Sequence, residues 1–120
     1  MQTVIITGGT KGIGAEIAHR FLEAGYNVVI GARSKSGLAE KKHEKLKFQK
    51  MDVRIESEHE NLIKSALDWS ESVHCYINCA GFSRWSPIVD VDEKFWHEIL
   101  DTNLKGAFWG CKVAAKYLHS

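Results

Sequence analysis

Proline is nearly absent from this sequence, which contains only Pro87, and the chain has no repeats, low-complexity stretches or linker. No apolar run approaches the roughly 18 residues that a membrane span needs. The first residues, Met1-Gln2-Thr3, lack the charged region and the small-residue cleavage site of a signal peptide. We therefore expect a single globular domain over residues 1–120, cytoplasmic and without membrane contact.

Cysteine is also scarce, and the three thiols Cys75, Cys79 and Cys111 form no Cys-x-x-Cys pair. Cys75 and Cys79 would lie about 13 Å apart on one strand, too far for a disulfide. We interpret all three as free core thiols in a reducing cytoplasm. The six histidines are scattered without the spacing of metal ligands, so no metal site is expected.

Net charge is small, at +1, so no global field attracts nucleic acid. The charges are nevertheless uneven: residues 33–50 hold seven Lys or Arg against two Glu, and residues 52–101 hold eleven acids against four bases. The basic stretch is either a solvated helix face or a rim that favours a phosphate. Arg33 is the residue in it whose position supports the second interpretation.

Short apolar runs alternate with amphipathic stretches, which is typical of βαβ units. Strands are predicted over Thr3–Thr7, Asn27–Gly31, Leu46–Met51 and Val73–Asn78. Helices are predicted over Gly12–Ala24, Ser36–His43, Glu58–Ser70 and Asp92–Leu118, with Gly25 ending the first. The last helix should bury a stripe of Trp96, Leu100, Leu104, Ala107, Cys111, Ala114 and Leu118. The pattern predicts an α/β fold with a doubly wound parallel sheet, Rossmann-like, in strand order 3-2-1-4 and truncated after the fourth helix.

A glycine-rich segment links the first strand to the first helix, with candidate phosphate contacts at Gly8, Thr10, Lys11, Gly12, Ile13 and Gly14. Gly8 permits a tight turn, Gly12 lets the backbone approach a pyrophosphate, and Gly14 allows close helix packing. The helix N-terminus offers N–H groups and a positive dipole end to the phosphates. A Walker A loop would need Lys-Ser/Thr after the last glycine, and plain Gly-x-Gly-x-x-Gly spacing also fails. A purely structural glycine turn is the remaining alternative.

The segment Thr7-Gly8-Gly9-Thr10-Lys11-Gly12-Ile13-Gly14, with Asn78-Cys79-Ala80-Gly81 and Asn103 behind it, resembles the compact branch of the short-chain dehydrogenase/reductase family. The likeness covers the entire chain. The extended branch is excluded because Lys11 stands where its second glycine would be. The resemblance implies that Asn78, Ala80 and Gly81 flank the cofactor, although Cys79 departs from the usual Asn-Asn-Ala-Gly.

The resemblance also assigns the adenosine end of the cofactor. Asp52 and Val53 match the family's adenine-pocket pair, although an Asp after a strand is also a common turn residue. An NAD site places an acid at the end of the second strand, but this sequence has Arg33-Ser34 with no acid near. The fork of Arg33 suits a 2′-phosphate, and Lys11 adds a second charge. In the family both features imply NADP(H); the alternative is that both side chains are merely exposed.

Asn103 is the one catalytic-type residue present. In the family the matching Asn distorts its helix and holds a water in the proton relay, while a hydrogen-bonded core Asn is the alternative. The family's serine and Tyr-x-x-x-Lys do not occur: Ile30 follows Tyr26 and Ala80 follows Tyr76 at that spacing. Without the tyrosine no general acid serves the carbonyl oxygen, so these 120 residues alone should be inactive.

The sequence therefore predicts the NADP(H)-binding part of an oxidoreductase that reduces a small-molecule carbonyl or oxidises an alcohol. A non-catalytic nucleotide-binding or structural half-domain is the main alternative, and a complemented or domain-swapped assembly is the third. A homo-oligomer is expected because the fourth strand would keep an open edge beside apolar Tyr76 and Cys75. The last helix would also expose part of an apolar patch, namely Phe95, Trp96, Phe108 and Trp109.

Overall fold

A computed structural model describes residues 2–118, and the predicted domain ends at Met1 and Ser120 lie outside this range. The strands are β1 (Gln2–Thr7), β2 (Asn27–Ala32), β3 (Leu46–Lys50) and β4 (Ser72–Asn78). The α-helices are α1 (Gly12–Glu23), α2 (Glu56–Trp69), α3 (Glu93–Leu100) and α4 (Gly106–Tyr117). Within the described range the strands form one parallel sheet ordered β3-β2-β1-β4, which confirms the predicted architecture.

The central strands are buried on both faces, as their continuous apolar sequence predicts. Successive side chains of a strand point to opposite faces of the sheet. Val4 and Ile6 of β1 accordingly pack with Ala18 of α1, whereas Ile5 packs with Leu62 of α2. Helix α1 therefore covers one face of the sheet, while α2 and α4 cover the other.

The end of α1 follows the prediction at Gly25. This glycine has a φ of +90°, a left-handed conformation that suits the residue after a helix. Its N–H donates to the Leu22 carbonyl at 3.0 Å, and the Tyr26 N–H donates to the Phe21 carbonyl at 3.0 Å. These bonds satisfy carbonyls of the last turn and direct the chain into β2.

The helix predicted over Ser36–His43 is wrong, because the structure has only a single 3₁₀ turn at Gly37–Glu40. Gly37 has a left-handed φ of +53°, and the chain is extended again at Lys41. The Leu38 N–H donates to the Thr10 carbonyl at 2.9 Å. A hydrogen bond to the glycine-rich loop thus replaces the bonds of a longer helix.

The helix predicted over Asp92–Leu118 is present but distorted. Asp92 caps α3 by accepting from the Phe95 N–H at 2.8 Å, and a π-helical segment, Asp101–Lys105, joins α3 to α4.

The π segment has wider i→i+5 turns, which change the side of the helix that faces the sheet. The predicted stripe is wrong at Trp96 and Leu104, which are 55% and 66% exposed, and at exposed Cys111, whereas Ala114 packs against the core as predicted. The residues that α4 buries fully are Gly106, Gly110 and Val113.

The thiols are less buried than predicted. Cys111 is exposed, so its interpretation as a core thiol is wrong, while Cys75 and Cys79 are half-buried. Burial raises the pKa of both half-buried thiols, which keeps them protonated and unreactive near neutral pH. Among the described residues, no helix combines the length and apolar character that crossing a membrane would require.

Candidate functional site

A cleft of about 510 Å³ lies where the carboxyl ends of the strands meet. This is the place where open parallel sheets bind their ligands. Every predicted cofactor-binding residue lines the cleft except Gly12 and Asn78. The lining also includes residues that were not predicted, namely Gly31, Ala32, Ser36, Met51, Cys79, Phe82 and Thr102.

The glycine-rich loop forms one wall and has no room for side chains at two positions. A Cβ on Gly8, whose φ is +71°, would lie 2.7 Å from the Ala80 Cα, and a Cβ on Gly14 would collide with the Gly8 carbonyl. The loop is thus folded tightly on itself and against the chain after β4. Helix α1 starts directly behind it. Its N-cap residue is Lys11, whose side chain makes no capping hydrogen bond, and the first turn contains no acidic residue. The N-terminus of α1 is therefore a suitable place for an anion.

Thr7 joins the ends of β1 and β4 below the loop. Its carbonyl accepts from the Cys79 N–H at 3.1 Å, and its buried hydroxyl oxygen accepts from the Ala80 N–H at 3.4 Å. The Gly8 N–H donates to the Gly31 carbonyl of β2 at 2.9 Å. Backbone bonds therefore hold three strand ends in register around the cleft.

One side of the cleft, which we call the basic wall, is basic and hydroxylated. Lys11, Arg33, Ser34 and Ser36 all line it. Ser36 was missed by the sequence reasoning, although its position two residues after Ser34 in the basic stretch was an available signal. Among the described lining residues Asp52 is the only acid. This wall therefore favours an anionic group.

Asp52 is already engaged by its own neighbour. The Arg54 guanidinium donates from Nε to Oδ1 at 3.0 Å and from Nη2 to Oδ2 at 2.7 Å, and the Arg54 backbone N–H donates to Oδ1 at 3.0 Å. The side-chain bond to Arg54 is the main cause that lowers the pKa of Asp52, and burial opposes it. A ligand amino group would have to share these oxygens with Arg54.

Asn103 lies in the π segment at the edge of the site. Its Oδ1 accepts from the Phe82 N–H at 2.8 Å, and its Nδ2 donates to the Phe82 carbonyl at 2.7 Å. The predicted distortion of its helix is present, but the alternative of a core Asn is wrong, because its side chain is exposed. Asn103 ties the chain after β4 to the last helix.

Asn78 does not line the cleft. Its side chain lies under α4, where Nδ2 donates to the Cys111 Sγ at 3.6 Å and where a Cβ on Gly110 would collide with Oδ1. Its Oδ1 is buried with no hydrogen-bond partner among the described residues. Gly110 thus lets α4 approach the end of β4 directly over Asn78.

A buried polar pair supports the cleft wall at Val53 from behind. His59 of α2 is fully buried, with Nε2 2.7 Å from the Val53 carbonyl and Nδ1 2.6 Å from the Tyr76 hydroxyl. Burial lowers the pKa of His59 and raises the pKa of Tyr76, so both are neutral. No local pattern in the sequence indicates this pair, because its members are 17 residues apart on different elements.

Comparisons with known proteins agree with this geometry. Residues 2–120 match the family model described as short chain dehydrogenase. The 3beta-hydroxysteroid dehydrogenase 2 of Eggerthella lenta is 32% identical over 123 residues, which are 97% of this chain and 47% of that protein.

Among solved structures, a short chain dehydrogenase from Bacillus anthracis superposes with a TM-score of 0.89 at 29% identity, covering 97% of this chain and 51% of that one. A structure of actinorhodin polyketide ketoreductase with NADPH has a TM-score of 0.85 at 28% identity, covering 97% and 47%. The chain spans about half the length of these relatives.

Proposed function

Because this chain belongs to the short-chain dehydrogenase/reductase family, we propose that its cleft holds NADP(H) and that the protein reduces a carbonyl group or oxidises an alcohol. The observation that carries the proposal is the placement of Arg33 and Lys11 in one cleft with the glycine-rich loop at the start of α1. The nicotinamide of such a cofactor supplies or accepts the hydride. The residues described here bind the cofactor and orient it.

The cleft offers two distinct anion sites. The uncapped N–H groups at the start of α1 suit the pyrophosphate, and the tight packing at Gly8 and Gly14 lets the backbone approach it. The side chains of Arg33 and Lys11 suit a phosphate on the adenosine ribose, because a guanidinium binds phosphate through paired hydrogen bonds. Asp52, the one acid among the lining residues that the structure describes, is paired with Arg54 and does not repel that phosphate.

The relatives support the reaction class. One is a hydroxysteroid dehydrogenase by name, and another is a ketoreductase whose structure contains NADPH. Asn103 would contribute to the proton relay, as its counterpart does in the family. Its two bonds to Phe82 would hold the chain beside the reacting end of the cofactor.

A second candidate is a nucleotide-binding module without catalysis. In this candidate residues 1–120, which contain no Tyr-x-x-x-Lys to supply the family's general acid, act through cofactor binding alone. On our proposal these residues bind cofactor but turn over substrate only with the missing groups, supplied by the same or another chain. A small-molecule carbonyl or alcohol substrate, a homo-oligomeric assembly and a cytoplasmic location belong to the same proposal.

The direct test measures the dissociation constants of NADPH and NADH by calorimetry. We expect NADPH to bind more tightly by about 1–3 kcal/mol, because its additional phosphate makes charge-assisted hydrogen bonds. Arg33→Asp should abolish or reverse this preference, since it removes the guanidinium and places an acid where an NAD site has one.

Lys42→Asp is the matched control, because Lys42 lies in the same basic stretch but does not line the cleft. This variant changes net charge equally and should keep the preference for NADPH. Equal affinities of the unmodified protein for the two cofactors, or a preference for NADH, would contradict the assignment.

A further inference from the structure

A second turn packs against the glycine-rich loop, and the sequence pattern does not predict this contact. The 3₁₀ turn at Gly37–Glu40 approaches Thr10 so closely that a Cβ on Gly37 would collide with the Thr10 carbonyl oxygen. The same Cβ would lie 3.6 Å from the Lys11 Cγ. The Leu38 N–H closes the contact by donating to the Thr10 carbonyl at 2.9 Å.

This contact joins the two halves of the basic wall. Lys11 belongs to the glycine-rich loop, while Arg33, Ser34 and Ser36 belong to the segment that leads into the turn, and all four line the cleft. The turn is anchored on its other side as well, because Ala39 is buried and Leu38 packs against the core under α1. The spacing between Lys11 and the Arg33 segment is therefore set where Gly37 meets Thr10.

We propose that Gly37 is a positioning residue for cofactor specificity: its lack of a side chain lets the turn close on Thr10 and brings both halves of the basic wall to one phosphate. This inference rests on the proposed NADP(H) site and extends it to a residue that does not line the cleft. Gly37 acts through Lys11, Arg33 and Ser36. A side chain at position 37 would force the two halves of the basic wall apart. Charge-assisted binding of a phosphate weakens when its cationic partners are moved away from it.

Two causes must be separated in testing this role. Gly37 has a φ of +53°, so any other residue also suffers backbone strain there. Gly25 provides the matched control, since its φ is +90° and a Cβ there would meet nothing within 4 Å. Gly25→Ala therefore introduces comparable strain without a collision. Gly37→Asn is the complementary variant, because Asn tolerates the left-handed conformation but keeps the collision.

The experiment measures NADPH and NADH dissociation constants for the protein as its gene encodes it and for the variants Gly37→Ala, Gly37→Asn and Gly25→Ala. We expect Gly37→Ala and Gly37→Asn to weaken NADPH binding about tenfold and to leave NADH binding nearly unchanged. Gly25→Ala should keep the ratio of the unmodified protein.

The inference is overturned if the ratio is unchanged in the Gly37 variants, or if both cofactors weaken together, which would indicate general damage to the fold. Failure of the proposed function is recognised separately, because the unmodified protein would then show no preference for NADPH.

Discussion

In the buried pair of His59 and Tyr76, the hydrogen bonds determine which ring nitrogen of His59 carries the proton. The Val53 carbonyl can only accept, so the Nε2 of neutral His59 carries the proton and donates to it. Nδ1 is then an acceptor, and the Tyr76 hydroxyl donates to it. These two hydrogen bonds connect β4 and α2 to the cleft wall at Val53, and both ring nitrogens of His59 have a partner.

Removing the hydroxyl by Tyr76→Phe should lower the free energy of unfolding by about 1–3 kcal/mol, because Nδ1 of His59 is left buried without a donor. Urea denaturation followed by circular dichroism measures the change. Tyr26→Phe is the control: the Tyr26 ring packs edge-on against Phe21, and its hydroxyl has no hydrogen bond among the described residues. Its effect should stay within about 0.5 kcal/mol. Equal losses in the two variants would show that the Tyr76 hydroxyl contributes nothing specific.

At the scale of elements, α2 and α4 are joined by polar contacts along their exposed sides. Lys112 pairs with Glu56 at 2.7 Å. Glu60 accepts from the Tyr117 hydroxyl at 2.6 Å and from the Lys116 ammonium at 3.0 Å. The Tyr117 bond first and the Lys116 bond second lower the pKa of Glu60 from 4.5 to about 2.

This lowered pKa predicts how stability changes with pH. The folded protein holds Glu60 ionised more strongly than the unfolded chain does, so the contribution is complete above the ordinary pKa of 4.5. It is lost as the pH falls towards about 2. Glu60→Gln should therefore reduce the acid dependence of the unfolding free energy in this window, measured by denaturant titrations at a series of pH values.

Glu16→Gln serves as control, since Glu16 pairs with Arg20 within α1 and joins no two elements. It should leave the acid dependence between the two pH limits nearly intact. An identical response of both variants would contradict the role assigned to the contact between α2 and α4.

The elements differ in how far their own sequence determined them. Apolar runs and the glycine spacing sufficed for β1, β2 and α1, because burial on both faces and a tight phosphate turn leave local patterns. The buried side of α4 could not be predicted, since Gly106 and Gly110 carry no hydrophobic signal and matter only through Val53 and Asn78 opposite them. The helix predicted over Ser36–His43 is wrong for the same reason, because the turn at Gly37 depends on its contact with Thr10.

At the scale of the whole molecule, the two edges of the sheet are unlike. The β3 edge carries exposed Lys47 and Lys50, and charged side chains of this kind discourage pairing with another chain. The β4 strand carries no Lys, Arg, Asp or Glu, and within the described sheet it pairs with β1 alone. Apolar side chains of the last helix also stay open, with Leu104 66% and Phe108 60% exposed. An uncharged edge and exposed apolar side chains favour association.

We therefore predict that the 120-residue polypeptide, produced alone, associates with itself or with a fragment that completes its sheet. Light scattering coupled to size exclusion at tens of micromolar should give a mass above the 13.5 kDa of one chain. The double variant Leu104→Lys and Phe108→Lys should shift the mass towards the monomer, because it places charge on the exposed apolar side of the helix. Glu16→Lys on α1, across the sheet, changes the net charge by the same two units and should not. A stable monomer in the unmodified polypeptide would show that the open edge and the exposed helix side chains do not drive association.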